Sequence, residues 1–199
     1  MKPPFPIPTP TNISEIVLQA CHSVVPNVRP VHILVRVEPY SKWEDCHRNV
    51  AKKISIDGGS AQCGWIIWEI PDWEVQIEFH SVWRSFEGNL VDITPPMHKG
   101  DVVLFLSDSK LVYEGRNIPT IHYPYRDTPF CKEYVEIADA INRLLFPPGQ
   151  IPSLIYEPPK EELDKLNTQR RRMFLQAQLA AEPAIESQKT SIAYPFKPK

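Results

Sequence analysis

The stretch Glu74-Val-Gln-Ile-Glu78-Phe-His80-Ser-Val-Trp83-Arg-Ser-Phe-Glu-Gly88-Asn-Leu-Val-Asp92-Ile-Thr94 decides how this chain folds. It reads as two strands, Glu74–Arg84 and Asn89–Thr94, because β-branched and aromatic residues dominate both runs. Phe86-Glu87-Gly88 supplies the turn, with Gly88 suited to a left-handed backbone. A loop over Arg84–Gly88 with Trp83 facing Asn89 places His80 directly opposite Asp92. A slip of two residues leaves the pair diagonal on one face, still within reach. A slip of one would separate them.

Working outward, Gln62–Ile70 is a third strand, joined to Glu74 through Pro71-Asp72. Before it, Asp57-Gly58-Gly59-Ser60 stops a helix that carries Cys46, Asn49, Val50 and Lys53. Ser41-Lys-Trp-Glu44 has the S-x-x-E form of a capping box at its start. Residues 13–24 have helical spacing with Thr11 or Asn12 as the cap, and Val31–Val37 reads as a buried strand. Val102–Leu106 and Leu111–Tyr113 are further strand candidates, and 115–130 is loop-rich. Helices follow over Cys131–Phe146, ended by Pro147-Pro148-Gly149, and over Pro159–Ala181.

The spacing therefore predicts four regions. Residues 1–12 are a proline-rich, extended and poorly ordered arm, 13–150 the folded domain, 151–182 a helical extension and 183–199 a flexible tail. The fold class is α+β: a helix bearing Cys46 packed on a mostly antiparallel sheet bearing His80 and Asp92. The C-terminal helices cover another face or mediate assembly.

Composition narrows the function. The 199 residues are 42% hydrophobic and 23% charged, as in an ordinary globular domain. A net charge of −2 from 22 basic and 24 acidic residues gives no electrostatic case for nucleic acid or a membrane surface. No apolar run is long enough to cross a bilayer, and the N-terminus has no apolar signal segment, so a cytoplasmic location is expected. The 4 cysteines form no CxxC, which points to a reducing compartment rather than a disulfide scaffold.

Cys46, His80 and Asp92 carry the chemistry. A thiolate is the reactive form of cysteine, and an imidazole generates it by taking the proton. A carboxylate fixes the imidazole's tautomer and stabilises its charged form. His47 adjoins Cys46 but points about 100° away on a helix, so it is not the expected base. The helix start matters. A cap at Ser41 puts Cys46 in the second turn, whereas a start at Glu44 or Asp45 gives the thiolate more of the helix dipole.

With those residues in place, the chain resembles the transglutaminase-like and papain-like cysteine hydrolase superfamily. His80-Ser-Val-Trp83 followed by Gly88-Asn-Leu-Val-Asp92-Ile-Thr94 is similar to the H-x-W…G-W…D-x-T signature of the transglutaminase-like branch, with Trp83 one place later. Cys46-His-Arg-Asn49, Phe79-His80 and Val91-Asp92 resemble protein N-terminal glutamine amidohydrolases. The order Cys, Gly-Gly, Gly-Trp, His, Asp also looks like a group of uncharacterised bacterial proteins. The likeness covers about 50 residues. It implies a cofactor-free hydrolase or acyl-transferase acting on a protein or peptide amide, with Cys46 as nucleophile, His80 as base and Asp92 orienting it.

No glutamine precedes Cys46, so the oxyanion would rest on the Cys46 N–H and a second donor from Trp65, Trp68, Gln62 or Asn49. Trp65, Trp68 and Asn49 are thus candidate substrate-binding residues, and Gly59 is a fourth because it permits close backbone approach. Five tryptophans between Trp43 and Trp83 read first as packing and second as aromatic cleft walls. Glu69, Glu74 and Glu78 read as exposed strand positions, and Arg170-Arg171-Arg172 as a solvated helix face. Two other functions compete: a non-catalytic interaction module that keeps the fold, and a metal site at Cys46, His47, His80 and Asp92, whose spacing fits no common structural site. Oligomeric state is not set by the sequence.

Overall fold

The computed structural model describes residues 8–96, 100–116, 118–147 and 157–190, with backbone alone over 177–190. Its spine is the long hairpin foreseen from the aromatic and β-branched runs. Strands β2 (Ser60–Ile70) and β3 (Glu74–Arg84) pair without a break from Ser60↔Arg84 to Ile70↔Glu74. Asp72 turns the chain at φ 68°, and Trp73 N–H donates to Ile70 O at 3.0 Å. Four shorter strands complete the sheet: β1 (Val31–Val35), β4 (Leu90–Asp92), β5 (Val102–Ser107) and β6 (Ile121–Pro124).

The strand order is β2-β5-β1-β4-β3, and β3 returns to β2, so these five close a small barrel. Every pairing is antiparallel except β1 with β4. Strand β6 lies outside the ring and pairs only with Glu74–Ile77 of β3. On that same side of β3, β4 pairs only with Trp83 and Arg84. Residues 78–82 between them have no ladder partner on that side among the described residues. His80 lies in this gap.

The remaining architecture is helical, which makes the fold α+β: α1 (Glu15–Val24), α2 (Cys46–Asp57), α3 (Pro129–Leu145) and α4 (Lys160–Thr190). Strand β2 is buried on both faces from Cys63 to Trp68, as expected of a strand covered on each side. One face places Ile66, Trp68 and Ile70 with Ile33, Val82, Val103 and Phe105, continuous with Tyr134 and Ile141 of α3 and Leu163 and Met173 of α4. The other places Trp65, Ile67 and Phe79 with Leu104 and Leu106 under Val17, Ala20 and Cys21 of α1.

Several expectations are corrected. Ser14, not Thr11 or Asn12, caps α1, its Oγ accepting from Val17 N–H. Residues 8–10 are held on the sheet rather than forming a loose arm. Pro8 O accepts from Glu69 N–H, and Thr9 Oγ1 bridges Ile67 O and Leu104 N–H. Prolines lack an N–H but keep a carbonyl acceptor, which an edge can use; residues 1–7 lie outside the described set. Leu111–Tyr113 is not a strand, and β6 arises inside the stretch read as loop. The helix expected to end near Ala181 continues through Pro183 to Thr190, into the region read as tail. The run Leu175-Gln-Ala-Gln-Leu-Ala-Ala-Glu is rich in strong helix formers and outweighs one proline. Residues 148–156 and 191–199 lie outside the described set, so Pro148-Gly149, the start of the 151–182 segment and the end of the tail are not placed.

The charges of the last helix are not simply solvated. Glu74, read as exposed, is 0% exposed. It accepts from His122 Nδ1 at 2.7 Å and from Gln76 Nε2 at 2.6 Å, and it pairs with Arg170 of α4. Burial alone would push its carboxyl up, but His122 and Arg170 hold it below the ordinary range. Arg171 and Arg172 remain exposed. The Arg170–Glu74 pair fastens α4 to the barrel. Arg170→Met removes one of the two cationic partners of a buried carboxylate and is expected to destabilise the fold by about 3 kcal/mol, read as a lower urea midpoint. An unchanged midpoint would show that α4 docks without the pair.

Candidate active site

Helix α2 begins at Cys46, with Asp45 as its N-cap. The capping box at Ser41 does not form. Asn49 takes over instead: its Oδ1 accepts from Lys42 N–H at 2.9 Å, and its Nδ2 donates to Lys42 O at 2.8 Å. This clamp folds residues 42–45 back against the helix. Glu44 then turns at φ 59°, and helical geometry starts only at the thiol. Asp45 makes no side-chain cap, so its carboxylate does not cover the first-turn N–H groups around Cys46. The helix dipole therefore acts on the thiolate at close range.

His80 comes from β3 and Asp92 from the last residue of β4. The register differs by two from the expected one: Trp83 faces Val91 and Arg84 faces Leu90. Carried along the strands, Asp92 falls opposite Val82, diagonal to His80 on the same face. The tolerance of alternation to an even slip preserves the contact, and His80 Nε2 lies 3.1 Å from Asp92 Oδ1. A carboxylate only accepts, so Nε2–H donates and Nδ1 is left for the thiol. Thr94 N–H donates to the same Oδ1 at 2.9 Å, and Asn49 Nδ2 donates to Thr94 Oγ1 at 3.2 Å. Asn49 thus ties the turn before Cys46 to the carboxylate strand.

The electrostatics follow from this geometry. Burial pushes the Cys46 thiol up, but the His80 charge and the polar contacts of His47 and His80 outweigh it and bring the pKa down to about 6. Burial pushes His80 down, yet Asp92 and Cys46 hold it well above its ordinary value. The two groups titrate as a pair, and above about pH 6 the thiolate–imidazolium form accumulates. His80 is 7% exposed and Asp92 2% exposed, so water screens the pair weakly.

Cys46, His80 and Asp92 open on one cleft of about 390 Å³, within the size range of small-ligand sites. It lies where the β3 edge is uncovered. Trp43, Trp68, Glu78, Ile118, Thr120 and Phe146 supply much of its wall. Of the four expected substrate-binding residues, only Trp68 is there. Trp65 points to the opposite face, packed in the α1 cluster, with Nε1 donating to Asp108 Oδ2 at 3.4 Å. Asn49 is buried and its amide is consumed by the clamp. Gly59, at φ 81°, presses its backbone on Arg84 O, which an added Cβ would approach to 2.4 Å; its role is packing. Gln62 is likewise occupied, donating to Cys63 O at 2.7 Å. His47 stacks on Tyr113 at 3.7 Å between ring centroids. Among the described residues, no three His, Cys, Asp or Glu side chains gather to hold a metal.

Glu78, read as an exposed strand position, is half-buried and lines the cleft; the strand parity it shares with His80 was the signal that could have placed it there. Ile118, Thr120 and Phe146 were not legible, because only tertiary packing brings them to the wall.

Comparison with protein-family models, with curated proteins and with solved structures returned no match. Among the described residues no helix is long and apolar enough to cross a membrane.

The geometry predicts a reactivity. Cys46 is the one cysteine of the four that is not buried. At pH 6 it is about half thiolate if its pKa is about 6. A free thiol with pKa ~8.5 is under ~1% ionised there, and the lower nucleophilicity of an acidic thiolate offsets part of the gain. Iodoacetamide should therefore label Cys46 at pH 6 about tenfold faster than a free cysteine derivative, and His80→Ala should remove the advantage. Mass-spectrometric labelling against pH checks this; an ordinary thiol profile would refute the coupling.

Proposed function

We propose that this protein is a cysteine-dependent amide hydrolase or acyl-transferase acting on a protein or peptide amide, with no cofactor. The observation that carries the reading is the relay at one cleft. A thiol at the first turn of a helix is coupled to an imidazole whose far nitrogen is held by a buried carboxylate at 3.1 Å. The local resemblance to cysteine hydrolases, with a Cys-bearing helix beside a sheet that carries His and Asp, supports the same reading.

In this reading Cys46 Sγ attacks the amide carbonyl carbon. The carbonyl π electrons move to oxygen, and the first-turn N–H groups of α2 stabilise that oxyanion. His80 passes the proton it holds to the leaving nitrogen, and the C–N bond breaks to leave a thioester on Cys46. Water then attacks the thioester with His80 as base, releasing the acid and restoring the thiol. An amine in place of water completes transamidation. Asp92 keeps Nδ1 directed at the sulfur and stabilises the imidazolium throughout. All four cysteines are free thiols, which suits a reducing compartment such as the cytoplasm.

A panel of peptide amides, scored for ammonia or amine release, tests the reading. Cys46→Ala should abolish turnover, and turnover that survives would overturn it. Asp92→Asn should lower kcat by on the order of 10³ with little change in KM, since it disturbs the tautomer rather than binding. For the wild type, kcat/KM should rise with pH through about 6, because the thiolate pair forms there.

A further inference from the structure

The walls of the cleft are negatively charged and aromatic. Glu44, Glu78 and Asp92 line it, with no lysine or arginine among the described lining residues. Asp92 is committed to His80, and Glu44 sits exposed at the rim. Glu78 differs from both. It is half-buried and projects from β3 on the same side as His80, two residues away, so the two Cα atoms are about 7 Å apart. Trp68 Nε1–H donates to Glu78 Oε2 at 2.6 Å, which fixes the carboxylate in place. Among the described residues Oε1 has no hydrogen-bond partner, and Glu78 has no ion-pair partner.

Holding an indole N–H requires only an acceptor; it does not require a charge. The second oxygen of Glu78 is not among the buried polar atoms without a partner, so it faces the open cleft, where a cationic group of a ligand can reach it. Beside it stand the rings of Trp43 and Trp68 in the same wall, and aromatic faces attract cations as a carboxylate does. An anionic substrate would meet both Glu78 and the Cys46 thiolate.

We infer that Glu78 is the specificity-determining residue of the cleft, and that the substrate is a basic peptide whose ammonium or guanidinium group lies a few bonds from the scissile amide. The inference rests on Cys46 being the nucleophile, and it names the substrate class of that same site.

Three thiol reagents with arms of comparable length test it without a known substrate: 2-aminoethyl methanethiosulfonate, its neutral propyl analogue and its anionic sulfonatoethyl analogue. In each, the Cys46 thiolate attacks the sulfenyl sulfur, methanesulfinate leaves with the bonding pair and a mixed disulfide forms. Rates at pH 6 are divided by those of free cysteine. The cationic reagent should be favoured over the neutral one by about tenfold, and the anionic one disfavoured, in line with a cleft of one sign. Glu78→Gln keeps an acceptor for Trp68 and should reduce the cation preference to about twofold or less. Added salt should weaken the preference in the wild type.

A Cys46 that reacts readily but without cation preference, or with a preference that survives Glu78→Gln, would overturn the inference and leave the nucleophile standing. A Cys46 inert to all three reagents would overturn the nucleophile, and the inference with it.

Discussion

Among the described residues, strand β3 lacks a neighbour along part of one edge, and the candidate site depends on that gap. β2 pairs with β3 along its whole length, whereas β6 and β4 take only its two ends on the other side. The residues between them can therefore meet something other than another strand. His80 and Glu78 occupy that interval and line the cleft that receives the N-terminus of α2. A sheet continued across the gap would have packed His80 against a neighbour and closed the cleft. Barrel closure on the far side holds the opening in place, since the β2–β3 ladder cannot slip without disturbing five strands at once.

The site is held by polar contacts that would be costly to leave unmade. Asn49 joins the turn before Cys46 to Thr94, and Thr94 in turn donates its N–H to Asp92. The helix of Cys46 and the strand of Asp92 are thus linked through buried groups with defined partners. Glu74, His122 and Arg170 play a comparable part at the other end of β3, joining β6 and α4 to the barrel. In both places a buried polar cluster sets the position of a helix on the sheet, where apolar contact alone would permit sliding.

Much of this was readable from the chain. The hairpin, the stop at Gly58-Gly59, the turn at Gly88 and the grouping of His80 with Asp92 on one face follow from local periodicity and turn chemistry. The two-residue error in register did no harm, because side-chain direction repeats every second residue. The start of α2 was misplaced for a different reason. Ser41-Lys-Trp-Glu44 has the composition of a cap, but Asn49 competes for the backbone of Lys42 and wins, so Glu44 turns left-handed and the helix begins at Cys46. Trp65 and Gly59 were assigned to the cleft because residue type was weighed without knowledge of which face each would occupy.

By itself the sequence determined an α+β chain, its principal strands and helices, and a Cys, His and Asp in an order suited to thiol chemistry, because these depend on neighbours within a few residues. Tertiary structure decided the closure of the barrel, the gap beside β3, the burial of Glu74 and the identity of the cleft walls. Those features are set by contacts between residues far apart in the chain, such as Arg170 on Glu74 and Phe146 opposite Cys46. Such contacts leave no periodic trace in the sequence, because the free energy that selects them comes from the packing of whole elements against one another.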